Sequence, residues 1–337
     1  MLFQFSRRRQ PAAIEPAAIE PVAAGILRSL KAFQDGAKGL AAPGGWVFLI
    51  NDTNDFLSWQ FGLKRWSPEE RETVEALLAD RMTLLGDRHY QMVICPEKSV
   101  VYSEWLPSGL ADIAANDERP ATVMASAASG RILYLADRFE QLKRFGLLFF
   151  RGDTHVNFLG AYHLYREAIL ALKAGGAPVG DPIAFGQLQH FVAGMEGDIF
   201  IQLPEAAKDD FEIDASLGRV GNMLEVLMSH TLPEARKRTR RVETPEGYIP
   251  GGGGRETVIM EHEDPSLPKA LVFRDSTATL SIDLLAQHFS RSVYVWHEGD
   301  VIGELIDREQ PDVILHFVAE RFLATYPRAV AINRHVG

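Results

Sequence analysis

From about residue 46 onward, short apolar runs rich in β-branched and aromatic residues alternate with stretches of helical apolar spacing. That alternation is the pattern of an α/β fold, a mostly parallel sheet covered by helices on both faces. The runs at 46–50, 91–95, 132–136, 147–150, 199–203, 258–261, 270–273, 292–296 and 312–317 are the expected strands. Several are continuously hydrophobic, as strands buried on both sides require. Helices fit between them. Ser67-Pro68-Glu69-Glu70 supplies an N-cap, a proline at the first helical position and early acids, and opens a helix that runs to about Leu85. Further helices are expected at 157–173, ended by Gly175-Gly176, at 277–288 and at 303–309.

Two stretches depart from this pattern. Residues 1–24 hold Arg7-Arg8-Arg9 and a tandem Pro-Ala-Ala-Ile-Glu repeat, and read as a disordered tail ahead of a single domain over 25–337. The arginines are followed by glutamates and prolines rather than by an apolar segment, so they do not form a secretory signal. On this reading the expected location is the cytoplasm. Residues 205–257 carry the basic run 236–241 and four consecutive glycines at 251–254, and read as a flexible insertion. The basic run is expected to be a solvated face rather than a docking site.

Composition narrows the chemistry. With 35 basic and 45 acidic side chains the formal charge is −10, opposite to the footprint of a nucleic-acid binder. Cys95 is the lone cysteine, which rules out a disulfide framework and a cysteine metal cage. No paired histidine spacing marks a metal site, and no glycine-rich strand-loop-helix marks a cofactor, so neither metal nor cofactor is expected.

In a parallel sheet the working residues lie where strands end and helices begin. Of the two Asp-x-His triplets, Asp87-Arg88-His89 precedes a strand, whereas Asp153-Thr154-His155 follows the run at 147–150 and opens a helix. A second such corner is Phe273-Arg274-Asp275-Ser276. A serine there displays its hydroxyl above the sheet edge, with its amide at a helix start that favours an oxyanion. If the corners adjoin, Ser276, His155 and Asp153 make a nucleophile, a base and an orienting carboxylate. The bland alternative is a helix-capping serine and a solvated loop.

Four blocks carry a resemblance to a known family. They are Gly45-Trp46-Val47-Phe48-Leu49 with the polar loop after it, and the stretch 81–107 containing Cys95-Pro96-Glu97-Lys98. The other two are Arg151-Gly152-Asp153-Thr154-His155-Val156-Asn157 and the stretch 269–285 around Ser276. Together they resemble the SGNH-hydrolase-like domain of the alginate O-acetyltransferase family. The resemblance implies a flavodoxin-like sheet and a triad of Asp153, His155 and Ser276 in circularly rearranged order. It also implies transfer of acetyl from an unidentified donor to a carbohydrate hydroxyl, with a membrane-bound acyltransferase or polysaccharide-biosynthesis protein as a partner. By analogy with that family, the alternative location is the periplasm. Val156 stands where the family has tryptophan after its histidine.

Four more residues are candidates for the substrate site. Asn157 either caps its helix or donates to the substrate, and Arg274 flanks the nucleophile. Lys98 and Tyr102 lie beyond a strand end and either line the pocket or pack. Asp275 reads as a local cap. Two rival functions stand beside the transferase: an acetylesterase with the same triad, and a non-catalytic carbohydrate-binding protein.

Overall fold

Successive buried residues of the central strands enter two different apolar clusters in turn, and this fixes a sheet between two cores. The computed structural model describes residues 16–128, 130–195, 197–203, 225–249, 257–297 and 299–334. In chain order the strands are β1 (Gly39–Ala42), β2 (Trp46–Leu49), β3 (His89–Cys95), β4 (Ile132–Tyr134), β5 (Gln189–Met195) and β6 (Glu225–Thr231). They continue with β7 (Thr239–Val242), β8 (Val258–His262), β9 (Lys269–Arg274), β10 (Arg291–Trp296) and β11 (Val313–Ala319). Val93 and Cys95 of β3, Val272 of β9 and Phe317 of β11 belong to one apolar cluster. Their neighbours Met92, Ile94, Leu271, Phe273 and Val318 belong to the other.

The main sheet has seven strands in the order β4-β3-β11-β9-β10-β8-β7. The first five run parallel, and β8 and β7 add an antiparallel border. Helix Phe158–Ala174 covers one face, burying Tyr162, Leu164, Tyr165, Ala168, Ile169 and Leu172. Helix Pro68–Leu85 covers the other with Val74, Leu77, Leu78 and Leu85. It starts where the sequence places it: Ser67 Oγ accepts from the Glu70 N–H, and the Glu70 carboxylate accepts from the Ser67 N–H.

Four expectations change. Residues 147–150 are not a sheet strand and make only an isolated bridge between Phe149 and Val156, because the chain there turns back into the Asp-Thr-His loop. Residues 199–203 form turns, and Ile199, Phe200 and Leu203 pack on Val47 rather than in the sheet. Strand β2 lies where expected but pairs with β1 in a separate two-stranded sheet. Within the expected insertion, β6 pairs with β5 and β7 extends the main sheet, while 204–224 and 250–256, with the four-glycine run, lie outside the described residues.

The expected tail is also shortened. Pro16–Ser29 is a helix whose Ala23 and Leu27, one turn apart, enter the core. Residues 1–15 lie outside the described ones. No helix among the described residues is long and apolar enough to cross a membrane.

Candidate active site

Parallel pairing brings the C-terminal ends of β3, β11, β9 and β10 to one edge. Ala319 lies opposite Cys95, Phe317 opposite Arg274, and Trp296 opposite Arg274. The loops leaving these strands therefore share one side of the molecule.

Asp275 locks the corner after β9. Its Oδ1 accepts from the Thr277 N–H at 2.8 Å and the Thr277 hydroxyl at 2.5 Å, and its Oδ2 accepts from the Ala319 N–H at 2.6 Å. Both oxygens are engaged, so Asp275 is the cap expected from the sequence. Half-buried Ser276 follows as the first residue of a 3₁₀ turn, Ser276–Ser281, which takes the place of the expected start of an α-helix. That turn packs on helix Phe158–Ala174, where the Ser281 hydroxyl donates to the Ala161 carbonyl at 2.9 Å.

The same helix begins just after His155. Asn157 is its N-cap, with Oδ1 accepting from the Leu159 and Gly160 N–H groups at 3.0 Å each. Its Nδ2 donates to the Leu147 carbonyl at 2.7 Å, so of its two readings the structure shows the cap. Gly160 is required in the first turn, since a Cβ there would lie 2.1 Å from the Leu148 carbonyl oxygen.

Ahead of the cap, Asp153 Oδ1 lies 2.6 Å from His155 Nδ1 and also accepts from the His155 backbone N–H at 2.8 Å. Asp153 Oδ2 accepts from the Asp198 N–H at 2.9 Å. Burial penalises the Asp153 carboxylate, but the His155 hydrogen bond and charge and the two backbone N–H groups outweigh it and lower its pKa. Burial likewise pulls the His155 pKa down. The hydrogen bond and charge of Asp153, with the charge of Asp198, more than reverse this, against an opposing push from Arg321. With Nδ1 facing Asp153, Nε2 is the nitrogen available for proton transfer. No hydrogen bond joins Ser276 and His155 in this structure. The donor atoms of Asp153, His155 and Asp198 lie within 4.8 Å of one another. They are engaged in hydrogen bonds inside the loop, and the cluster is read as that assembly rather than as a metal site.

The remaining candidates act behind this edge. The Lys98 ammonium donates to the carbonyls of Phe150, Arg151 and Asp153 at 3.1, 2.7 and 2.7 Å, and it is buried. It therefore holds the loop, and it also lines a small cavity beside that loop with Phe48, Glu97, Thr154 and Ile199. Tyr102 is buried against Trp46, and its hydroxyl accepts from the Leu148 N–H at 3.0 Å. Arg274 is buried with its guanidinium 5.0 Å from the Trp296 ring centre, and it donates to the Thr279 hydroxyl at 3.0 Å. It braces the serine corner from below. Cys95 is buried, and that burial drives its thiol pKa far above the usual value.

Several residues at this edge gave no readable signal. Arg321 donates to Glu97 at 2.8 Å, and Glu320 takes Arg119 at 2.8 Å and the Tyr134 hydroxyl at 2.7 Å. These pairs join segments 186 to 224 residues apart. Asp198 directly precedes residues 199–203, the expected strand that does not form.

The class defined here is a mostly parallel α/β sandwich of SGNH-hydrolase-like architecture, with its polar loops gathered at one sheet edge. Solved structures share it. PatB1 of Bacillus cereus is similar at 17% identity and a TM-score of 0.60, over 85% of this chain and 96% of that one. The O-acetyltransferase domain of Pseudomonas putida AlgJ is similar at 16% identity and a TM-score of 0.53, over 86% and 92%. A DHHW family protein from Eubacterium siraeum is similar at 13% identity and a TM-score of 0.55, over 86% and 97%. No family model and no curated protein matches the chain. At these identities the likeness is one of fold, and at that level it agrees with the resemblance carried by the sequence blocks.

Proposed function

We propose that the chain is a serine-dependent O-acyltransferase that moves acetyl from a donor onto a carbohydrate hydroxyl. The observation that carries this reading is the Asp153–His155 pair, 2.6 Å apart, at the sheet edge where Ser276 leaves β9. The fold is also that of the AlgJ O-acetyltransferase domain.

In this reading Ser276 Oγ attacks the donor carbonyl while His155 Nε2 takes its proton. Asp153 keeps the ring in the matching tautomer and stabilises the imidazolium that forms. The Thr277 N–H is held by Asp275, so the amide of Ser276 itself is the donor assigned to the oxyanion. The leaving group takes the proton from His155 as the tetrahedral intermediate collapses to the Ser276 ester. An acceptor hydroxyl then gives its proton to His155 and attacks that ester, and His155 passes the proton to the departing Ser276 oxygen as the acetylated sugar is released. Contact between Ser276 and His155 is made in the reacting complex, since catalytic hydrogen bonds often tighten only there.

Ser276→Ala is expected to lower turnover of an activated acetyl ester by about a thousandfold or more while the unfolding midpoint stays put. PatB1 has been described with a sulfonyl adduct, so a sulfonylating reagent is a suitable probe. Mass spectrometry should find it on Ser276 in the parent protein and nowhere in the variant. Full activity in Ser276→Ala would overturn the proposal. Acetate release unaffected by any oligosaccharide acceptor would replace transfer by hydrolysis.

A further inference from the structure

Segment 197–203 reaches the Asp-Thr-His loop from a distant part of the chain and meets it backbone to backbone. The Phe200 N–H donates to the Gly152 carbonyl at 2.9 Å. A Cβ on Gly197 would stand 1.8 Å from that same oxygen and 2.9 Å from the Asp153 nitrogen, so only glycine permits the approach. Ile199, Phe200 and Leu203 anchor the segment on Val47 of β2, whose N–H donates in turn to the Arg151 carbonyl at 3.0 Å.

This anchoring places Asp198 on the loop from two sides. Its backbone N–H donates to Asp153 Oδ2 at 2.9 Å. Its carboxylate accepts from the Thr154 N–H at 2.7 Å and the Thr154 hydroxyl at 2.6 Å. The same carboxylate lies 3.7 Å from His155 Nδ1. Every residue of the triplet is thus gripped or faced by Asp198.

We infer that Asp198 is a positioning residue, which fixes the Asp153-Thr154-His155 loop and sets a second carboxylate beside the ring. The inference rests on the acyl-transfer reading for its kinetic consequences. Orientation explains the clamp: a base held by one short loop must not drift, because misplacement of about 1 Å can cost about a hundredfold in rate. Charge explains the carboxylate. The charged groups facing His155 are Asp153 on its own loop, Asp198 on the neighbouring segment, and Arg321 after β11. The two acids favour the imidazolium that forms when Ser276 is deprotonated, and Arg321 opposes it.

The test compares Asp198→Asn with Asp198→Ala in the full chain. Asp198→Asn keeps the shape and an acceptor for the Thr154 N–H while removing the charge. The His155 imidazole, followed by NMR, should titrate at lower pH than in the parent protein. The acid limb of kcat/KM should move the same way, raising the ratio of activity at pH 5.5 to that at pH 8 by about two- to fivefold. Asp198→Ala should lower kcat by about tenfold or more at unchanged KM, with Asp198→Asn retaining most of it. A His155 titration unchanged in Asp198→Asn, or a parental kcat in Asp198→Ala, would overturn the inference. The NMR titration needs no turnover, so it stands apart from the Ser276→Ala result on which the acyl-transfer reading depends.

Discussion

Lys98 Nζ donates to the main-chain carbonyl of Asp153 at 2.7 Å, across 55 residues of sequence. The loop carrying the candidate base is therefore held from behind by a cation that donates to three of its backbone carbonyls and lies over the Trp46 and Phe48 rings. Lys98→Met keeps the apolar stem and leaves the Phe150, Arg151 and Asp153 carbonyls without this donor. A loss of about 2–4 kcal/mol in unfolding free energy is expected, read as a lower urea midpoint at constant slope. Ester turnover should fall with it, because the triplet loses its support.

The pH dependence of activity should follow the His155 ring. Burial lowers its pKa, and Asp153 and Asp198 together reverse that and carry it above the ordinary value of 6.5. A neutral ring is needed to accept the Ser276 proton, so kcat/KM should fall as pH drops through a value above 6.5. The stability contribution has the opposite sense. The folded state favours the protonated ring, so the gain is complete below the unfolded pKa and disappears as pH rises through the folded one. Asp153 is lowered from 3.8, and its contribution is present above the unfolded value and lost as pH falls through the folded value. Urea unfolding of the parent and of His155→Gln between pH 5 and 9 checks the ring's share.

Glu320 is the hub of a buried polar group behind the same edge. It accepts from Arg119 at 2.8 Å, from the Tyr134 hydroxyl at 2.7 Å and from the Glu97 N–H at 3.2 Å. Glu320→Ala strands the Arg119 charge in the interior. Removing one partner of a buried pair costs about 3–5 kcal/mol, and equilibrium unfolding should show a loss of that size. Glu320→Gln, which keeps the acceptor shape, should lose less.

Cys95 offers a direct check on the edge's packing. Its thiol is buried and its pKa is raised by that burial, so a thiol reagent should leave the native protein unlabelled at neutral pH. Complete labelling is expected only after unfolding. Rapid labelling of native protein would mean that the end of β3 opens to solvent.

The parts of this fold legible in the sequence are those whose signal is local. β3, β9, β10 and β11 are predominantly apolar runs, and the Ser67–Glu70 capping box lies within four residues. Asp153 and His155 were legible for the same reason, two residues apart beside a helix start. Residues 147–150 and 199–203 have the same apolar density yet form no sheet strand, since packing against β2 and against the helix face uses hydrophobicity without a ladder. Lys98, Tyr102 and Arg274 stood near the right edge, but their partners are backbone carbonyls, an amide and a ring from distant segments. Asp198 was hidden in another way. Its role depends on Gly197 fitting against Gly152, a contact between two residues that carry no side chain to read.

The last three residues of the basic run at 236–241 lie in β7, the last strand of the main sheet. Arg240 points outward, with its side chain 77% exposed, and pairs with Glu261 on β8 at 2.9 Å. Among the described residues no further strand pairs with β7, and a sheet edge is a template on which a second chain could add a strand. A second copy docking there would bring its own arginines against these, with like charges meeting at strand spacing. The run expected as a solvated face thus has a second consequence: its charges disfavour edge-to-edge pairing of two copies along β7.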